Sequence, residues 1–326
     1  MRVGLDSFAL HPLGLGPMGQ LDYCRQHGFA GIQFGGVSGL MEGQGPARLR
    51  EVRQHADAAG LYTHVSVTSP NPHASGRTAD DVVTALEQEI PLAASCGWHE
   101  LHSALGAARE RYELSVPWSQ QLADSGAVLR RVAPVLRQHA SRIDLEPHGD
   151  TTTFELARLC EALGPDVVGV CLDTANVLLF GEEPVAAVRR VAPFTHLTHT
   201  KDAILFFCER GLMRQGRPVG SGCVPWETVL PILAQHTPDL PLSIEDHKWF
   251  FSADIFDPQW LAGQADLSRD ELAATVRIAW ETQARIHAGE VPDPQAYEAV
   301  PYADEMHERL AGGRDYLNAL LGRLGL

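Results

Sequence analysis

Four short segments in the second half of the chain begin apolar and end in side chains able to bind a cation or carry a proton. They are Asp144-Leu-Glu146-Pro-His148, Cys171-Leu-Asp173-Thr-Ala-Asn176, Leu197-Thr-His199-Thr-Lys201-Asp202 and Ser243-Ile-Glu245-Asp-His247. Side chains alternate between the two faces of an extended strand. Glu146 therefore shares a face with His148, Asp173 with Cys171, His199 with Lys201, and Glu245 with His247. One residue from each strand can then point at a shared centre. Three carboxylates brought that close repel one another and raise one another's proton affinity unless a cation neutralises them. With one imidazole added, the donors form a mixed oxygen and nitrogen shell that suits Mn²⁺, Mg²⁺ or Co²⁺ better than a thiolate-seeking metal, with Zn²⁺ as a further alternative.

The elements that must hold these residues are legible as an alternation of short apolar runs with longer amphipathic stretches, the order of a parallel sheet covered by crossover helices. Eight candidate strands stand at 3–5, 30–34, 62–67, 100–102, 143–146, 167–173, 195–199 and 242–245. Val82, Val83, Leu86 and Ile90 share one face of a helix over 79–95, and Val128, Val132, Val135 and Leu136 one face of a helix over 124–140. No Gly-x-Gly-x-x-Gly follows the first strand, which argues against an open dinucleotide-binding sheet. The reading is α/β, a (β/α)8 TIM barrel in one domain over 1–326. Barrel strands and loops occupy about 1–250, and a C-terminal helical extension about 251–326. In the extension, Ser268-x-x-Glu271 forms a capping signature, Pro292 and Pro294 mark a loop, and a last amphipathic helix covers about 303–325. Chemistry in such a barrel sits at the C-terminal ends of the strands, where the four segments place their polar residues.

The order Glu, Asp, His-x-Lys-Asp, Glu on strands five to eight resembles the sugar isomerase and epimerase superfamily of xylose-isomerase-like barrels, over roughly residues 1–290. The turn Gly216-Arg217-Pro-Val-Gly220-Ser-Gly222 and Trp226 after it are also similar to that family. The resemblance implies that Glu146, Asp173, His199 and Glu245 ligate one divalent ion, Mn²⁺ first. It also implies that Glu146 and Glu245 exchange protons on opposite faces of a substrate carbon through a metal-stabilised enediolate. The substrate is then a keto-sugar or sugar derivative. Many epimerases of the family carry His where this chain has Asn176, and Glu where it has Ser221. Asn176 can orient a substrate hydroxyl but cannot shuttle a proton at neutral pH. His148, two residues beyond Glu146, resembles the base of C-glycoside-deglycosidase α-subunits, so a lyase is the alternative, by elimination or by decarboxylation of a 3-oxo sugar acid. Lys201 is a candidate for neutralising a substrate oxyanion. His64, His102 and Arg217 are secondary substrate-binding candidates, whereas Asp202 reads as a structural support of its loop. His196, on the opposite side of its strand from His199, is expected to pack against helices. Trp249, Phe250 and Phe251 after strand eight read as a hydrophobic plug under the extension, with stacking on a sugar face as the alternative.

With 26 basic and 41 acidic residues, a formal charge of −15 disfavours nucleic acid, and with it the related AP-endonuclease-like hydrolases. A non-catalytic sensing or scaffolding barrel is the remaining class. Six scattered cysteines without Cys-x-x-Cys spacing indicate neither a disulfide framework nor a zinc knot. No apolar run approaches the ~20 residues of a membrane span, and no signal peptide opens the chain. The expectation is a cytoplasmic enzyme with a small carbohydrate substrate and no nucleic-acid or membrane partner. It is expected to be a homo-oligomer, or paired with a second subunit if it is a deglycosidase.

Overall fold

The computed structural model describes residues 1–326. Its strands are β1 (Arg2–Asp6), β2 (Gly31–Gly36), β3 (Tyr62–Ser66), β4 (Glu100–Ser103), β5 (Arg142–Leu145), β6 (Val168–Asp173) and β7 (Thr195–Thr200), followed by β8 (Asp202–Cys208), β9 (Gly211–Arg217), β10 (Pro241–Ile244) and β11 (Phe250–Ala253). β1 to β7 and β10 close into a parallel barrel, sealed where Val3 and Leu5 stand opposite Leu242 and Ile244. This is the TIM barrel, with helices outside and one continuous core between strands and helices. All eight expected strands form. No helix is long and apolar enough to cross a membrane.

Local chemistry sets the helix limits. The helix Ala79–Ser95 starts at Thr78, which caps Asp81 and is capped by it in return, and it buries Val82, Val83, Leu86 and Ile90. The next long helix runs over Trp118–Gln138, six residues earlier than apolar spacing suggests. Its first turns dock through Gln121, a buried amide that donates to the carbonyls of Glu110 and Val116, and apolar periodicity does not register such a contact.

Two features depart from expectation. β8 and β9 form an antiparallel hairpin joined by β11, so a three-stranded sheet grows from the C-terminal ends of β7 and β10. The helix Arg269–His287 covers this sheet, with Ala279 packed among Leu205, Leu212 and Trp260. The helix Tyr302–Leu324 instead lies against β1 and β10 and sends Met306, Leu310, Leu317, Leu320 and Leu321 into the main core. It is the eighth helix of the barrel, so a division near residue 250 cuts the barrel from its own last element.

Candidate metal centre

Glu146 follows β5, Asp173 ends β6, His199 lies in β7 and Glu245 follows β10. All four are buried, and one donor atom from each lies within 4.8 Å of all the others. His199 Nδ1 is 3.2 Å from Glu146 Oε1 and 3.0 Å from Glu245 Oε2. Lys201, one strand-face step beyond His199, sets its Nζ 2.7 Å from Asp173 Oδ2 and 2.8 Å from Glu245 Oε2. Burial opposes charge here, but the neighbours outweigh it. Lys201 and His199 hold Glu245 well below the usual carboxylate range, and His199, His148 and His102 do the same for Glu146. Cys171 and the two glutamates raise His199 despite its burial, and Asp173 and Glu245 raise Lys201.

The donor set fits a divalent ion. Asp173 Oδ2, Glu245 Oε2 and His199 Nδ1 are buried without a well-formed hydrogen bond, and three carboxylates with one imidazole form a hard, mostly oxygen shell. Cys171 lies buried beside His199, grouped with it and His102, and burial pushes its thiol up to about 12.

Around these four, His102 Nε2 is 3.0 Å from Glu146 Oε2 and its Nδ1 2.8 Å from Ser66 Oγ. Burial lowers the His102 pKa, so a neutral ring donates to the carboxylate and accepts from the serine. Asn176 donates to Glu146 Oε1 at 3.4 Å, and its backbone N–H donates to Asp173 Oδ1. The exposed His148 donates from Nδ1 to the Gly106 carbonyl at 2.9 Å, and the charge of Glu146 raises its pKa. Asp6 and Gln33, at the ends of β1 and in β2, complete the ring. Asp6 Oδ2 is 3.5 Å and Gln33 Nε2 2.5 Å from His199 Nε2. Burial raises Asp6 to about 6. Sequence reading missed both residues, although Asp6 ends its strand as Asp173 does and Gln33 lies within β2 as His199 lies within β7.

Other candidates lie elsewhere. His64 lines an open recess at the N-terminal ends of the strands with Arg2, Tyr62 and Glu100, so it does not reach this centre. His196 lines the same recess, with its Nε2 2.8 Å from Arg142 Nη1. The register shift between β6 and β7 at Val170 and Cys171 accompanies this placement, and His196 does not pack against helices as expected. Arg217 donates to Gln215 Oε1 at 2.7 Å and stacks 3.5 Å above the Tyr297 ring, occupied by the C-terminal segment rather than by the centre. Trp249 is 47% exposed and packs edge-on against Phe8, while Phe250 and Phe251 belong to β11, so these aromatics form a rim and not a plug. Asp202 accepts from the backbone of Gly220, Gly222 and Val224 and from Trp226 Nε1, which explains the glycine-rich turn. A Cβ on Gly222 would lie 2.1 Å from Asp202 Oδ1.

Over residues 21–294 the sequence matches the family described as xylose isomerase-like TIM barrel. The chain belongs to this family. Among xylose isomerase-like barrels of known structure, it is similar to a xylose isomerase domain protein from Planctomyces limnophilus, with 17% identity, a TM-score of 0.55, and 89% of this chain and 97% of that one covered. A D-psicose 3-epimerase crystallised in the presence of D-fructose gives 18% identity and a TM-score of 0.59, covering 88% and 99%. The 3-keto-D-glucoside 4-epimerase of E. coli gives 13% and 0.58, covering 82% and 100%. At these identities the likeness is one of fold. No curated protein matches the chain.

Proposed function

We propose that the protein is a divalent-metal-dependent enzyme that moves a proton at a carbon beside a carbonyl in a keto-sugar or sugar derivative, an isomerase or epimerase in type. The convergence of Glu146, Asp173, His199 and Glu245 within 4.8 Å at the mouth of the barrel carries the reading. Mn²⁺ is the ion assigned, on donor chemistry. When bound, such an ion supplies the positive charge that lowers the cost of removing a proton next to a carbonyl. Glu146, held ionised and fixed at both oxygens by His102, His199 and Asn176, is the carboxylate placed to take that proton. Glu245, held by Lys201 and His199, is the partner that returns a proton on the other side. Lys201 adds a fixed cation beside any oxyanion that develops.

A second reading, a lyase that expels a leaving group from a 3-oxo sugar, is favoured by His148. This imidazole is exposed at the rim beside Glu146 and pinned by Gly106, where it can meet a leaving group outside the ring of donors. Metal analysis of the purified protein and incubation with 3-oxo sugars in D₂O test both readings. One ion per chain with C–H exchange supports the first, and aglycone or CO₂ release supports the second. Full turnover by a Glu245→Gln protein contradicts either.

A further inference from the structure

Five cationic side chains are buried in this protein: Lys201, Arg214, Arg217, Lys248 and Arg309. Four of them are matched. Lys201 pairs with Asp173 and Glu245, Arg217 with Gln215 and the Tyr297 ring, and Arg309 with both oxygens of Asp246. Lys248 donates to the carbonyls of Tyr297 and Val300 and pairs with Glu305. Arg214 is different. Its relative exposure is 0%, and Nε, Nη1 and Nη2 all lack a hydrogen-bond partner.

Arg214 lies in β9, the middle strand of the three-stranded sheet, opposite Leu205 on one side and Phe251 on the other, with its guanidinium 5.2 Å from the Phe251 ring. The Phe251 ring lies in turn 6.2 Å from the ring of His247, two residues beyond Glu245, so the guanidinium borders the ring of donors that the barrel strands assemble. Burial lowers its pKa, and Asp173 and Glu245 oppose that effect. A guanidinium carries five N–H donors and stays protonated. Burying it with none of them satisfied costs far more than burying a matched pair. Its planar fork suits a carboxylate, which accepts two parallel hydrogen bonds, and the two nearby carboxylates disfavour a doubly charged phosphate.

We propose that Arg214 is the receptor for a carboxylate on the substrate, so that this site takes an acidic keto-sugar derivative in preference to a neutral sugar. The inference rests on the reading of the centre as a keto-sugar site. It assigns β9 the recognition of the substrate's charged end, and β5 to β7 with β10 the proton chemistry.

Calorimetric titration of the Mn²⁺-loaded protein with three keto-sugars, D-fructuronate, D-fructose and D-fructose 6-phosphate, tests it. D-Fructuronate is expected to bind about tenfold or more tighter than D-fructose, the scale of one charge-assisted hydrogen bond. Arg214→Met is expected to abolish that preference and raise the melting temperature of the sugar-free protein because an unmatched charge is removed. Arg214→Lys, which keeps charge and bulk but loses the fork, is expected to retain only part of the preference, and it decides the matter if the methionine variant does not fold. Equal binding of fructuronate and fructose by the wild type overturns the proposal, as does an undiminished preference in both variants. Tighter binding of the phosphate overturns the carboxylate assignment. If none of the keto-sugars binds the metal-loaded protein, the keto-sugar reading fails and this inference with it.

Discussion

The Gln33 amide stands 2.5 Å from Nε2 of His199, while Nδ1 of the same ring faces Glu146 and Glu245. With the carboxamide turned so that its otherwise unpartnered Oε1 accepts from Nε2–H, β2 holds one end of the imidazole and the Nδ1 lone pair is presented to a cation among the carboxylates. Partners of this kind fix the tautomer and orientation of a ligating histidine, and losing one costs about 10- to 100-fold in metal affinity. Gln33→Leu is expected to weaken Mn²⁺ binding by that factor, read by competition with a chelator, with the far-ultraviolet spectrum unchanged. Unaltered affinity would show that the ring is held by other means.

Lys201 bridges Asp173 and Glu245, so in the metal-free protein it offsets the repulsion among the carboxylates. Removing one member of a buried charge network destabilises by about 3–5 kcal/mol. Lys201→Met is expected to lose that much in urea unfolding without metal, and to regain a larger share than the wild type when Mn²⁺ is added. A variant as stable as the wild type in chelator argues against this role.

The turn after β9 wraps the Asp202 carboxylate so closely that a Cβ on Gly222 would lie 2.4 Å from the Ala203 carbonyl oxygen as well as against the carboxylate. Gly222→Ala is expected to destabilise by about 1–3 kcal/mol, the usual cost of forced overpacking. Denaturant midpoints measured at constant m check it.

Glu182 is buried against Thr153 and Arg190, and burial pushes its carboxyl up to about 7 from an ordinary 4.5. The folded protein therefore holds this proton more tightly than the unfolded chain does. Its contribution to stability is greatest below pH 4.5 and declines as pH rises to 7, by on the order of 3 kcal/mol. Glu182→Gln lacks the titrating group. The stability difference between wild type and variant is expected to slope across that window and to be flat above it. A flat difference throughout would place the Glu182 pKa in the ordinary range.

The barrel and the four candidate donors were legible in sequence because each strand is a short apolar run with a polar terminus, and a two-residue period decides which residues share a face. The same rule applied to the first two strands would have brought in Asp6 and Gln33, which sequence reading passed over because a single Asp or Gln on a strand carries no motif. The β8–β9 hairpin was hidden because Ile204-Leu-Phe-Phe207 follows Lys201-Asp202 without a turn signal, and its pairing with β11 depends on chain brought together from about 40 residues away. Arg214 was invisible for the same reason, since its burial is a property of that pairing. His64 misled because an imidazole in mid-strand reads alike whichever mouth of the barrel it faces.

The seam between β1 and β10, roofed by the helix Tyr302–Leu324, also bears on how the molecule is made. A ribosome delivers Arg2–Asp6 some 235 residues before Pro241–Ile244, so β1 must wait with one edge bare while that stretch is made. An unpaired strand edge on a growing chain is a point of misassembly. The helix Tyr302–Leu324 then serves as a latch, and losing it should leave a ring of strands that assembles slowly and clumps before it can shut.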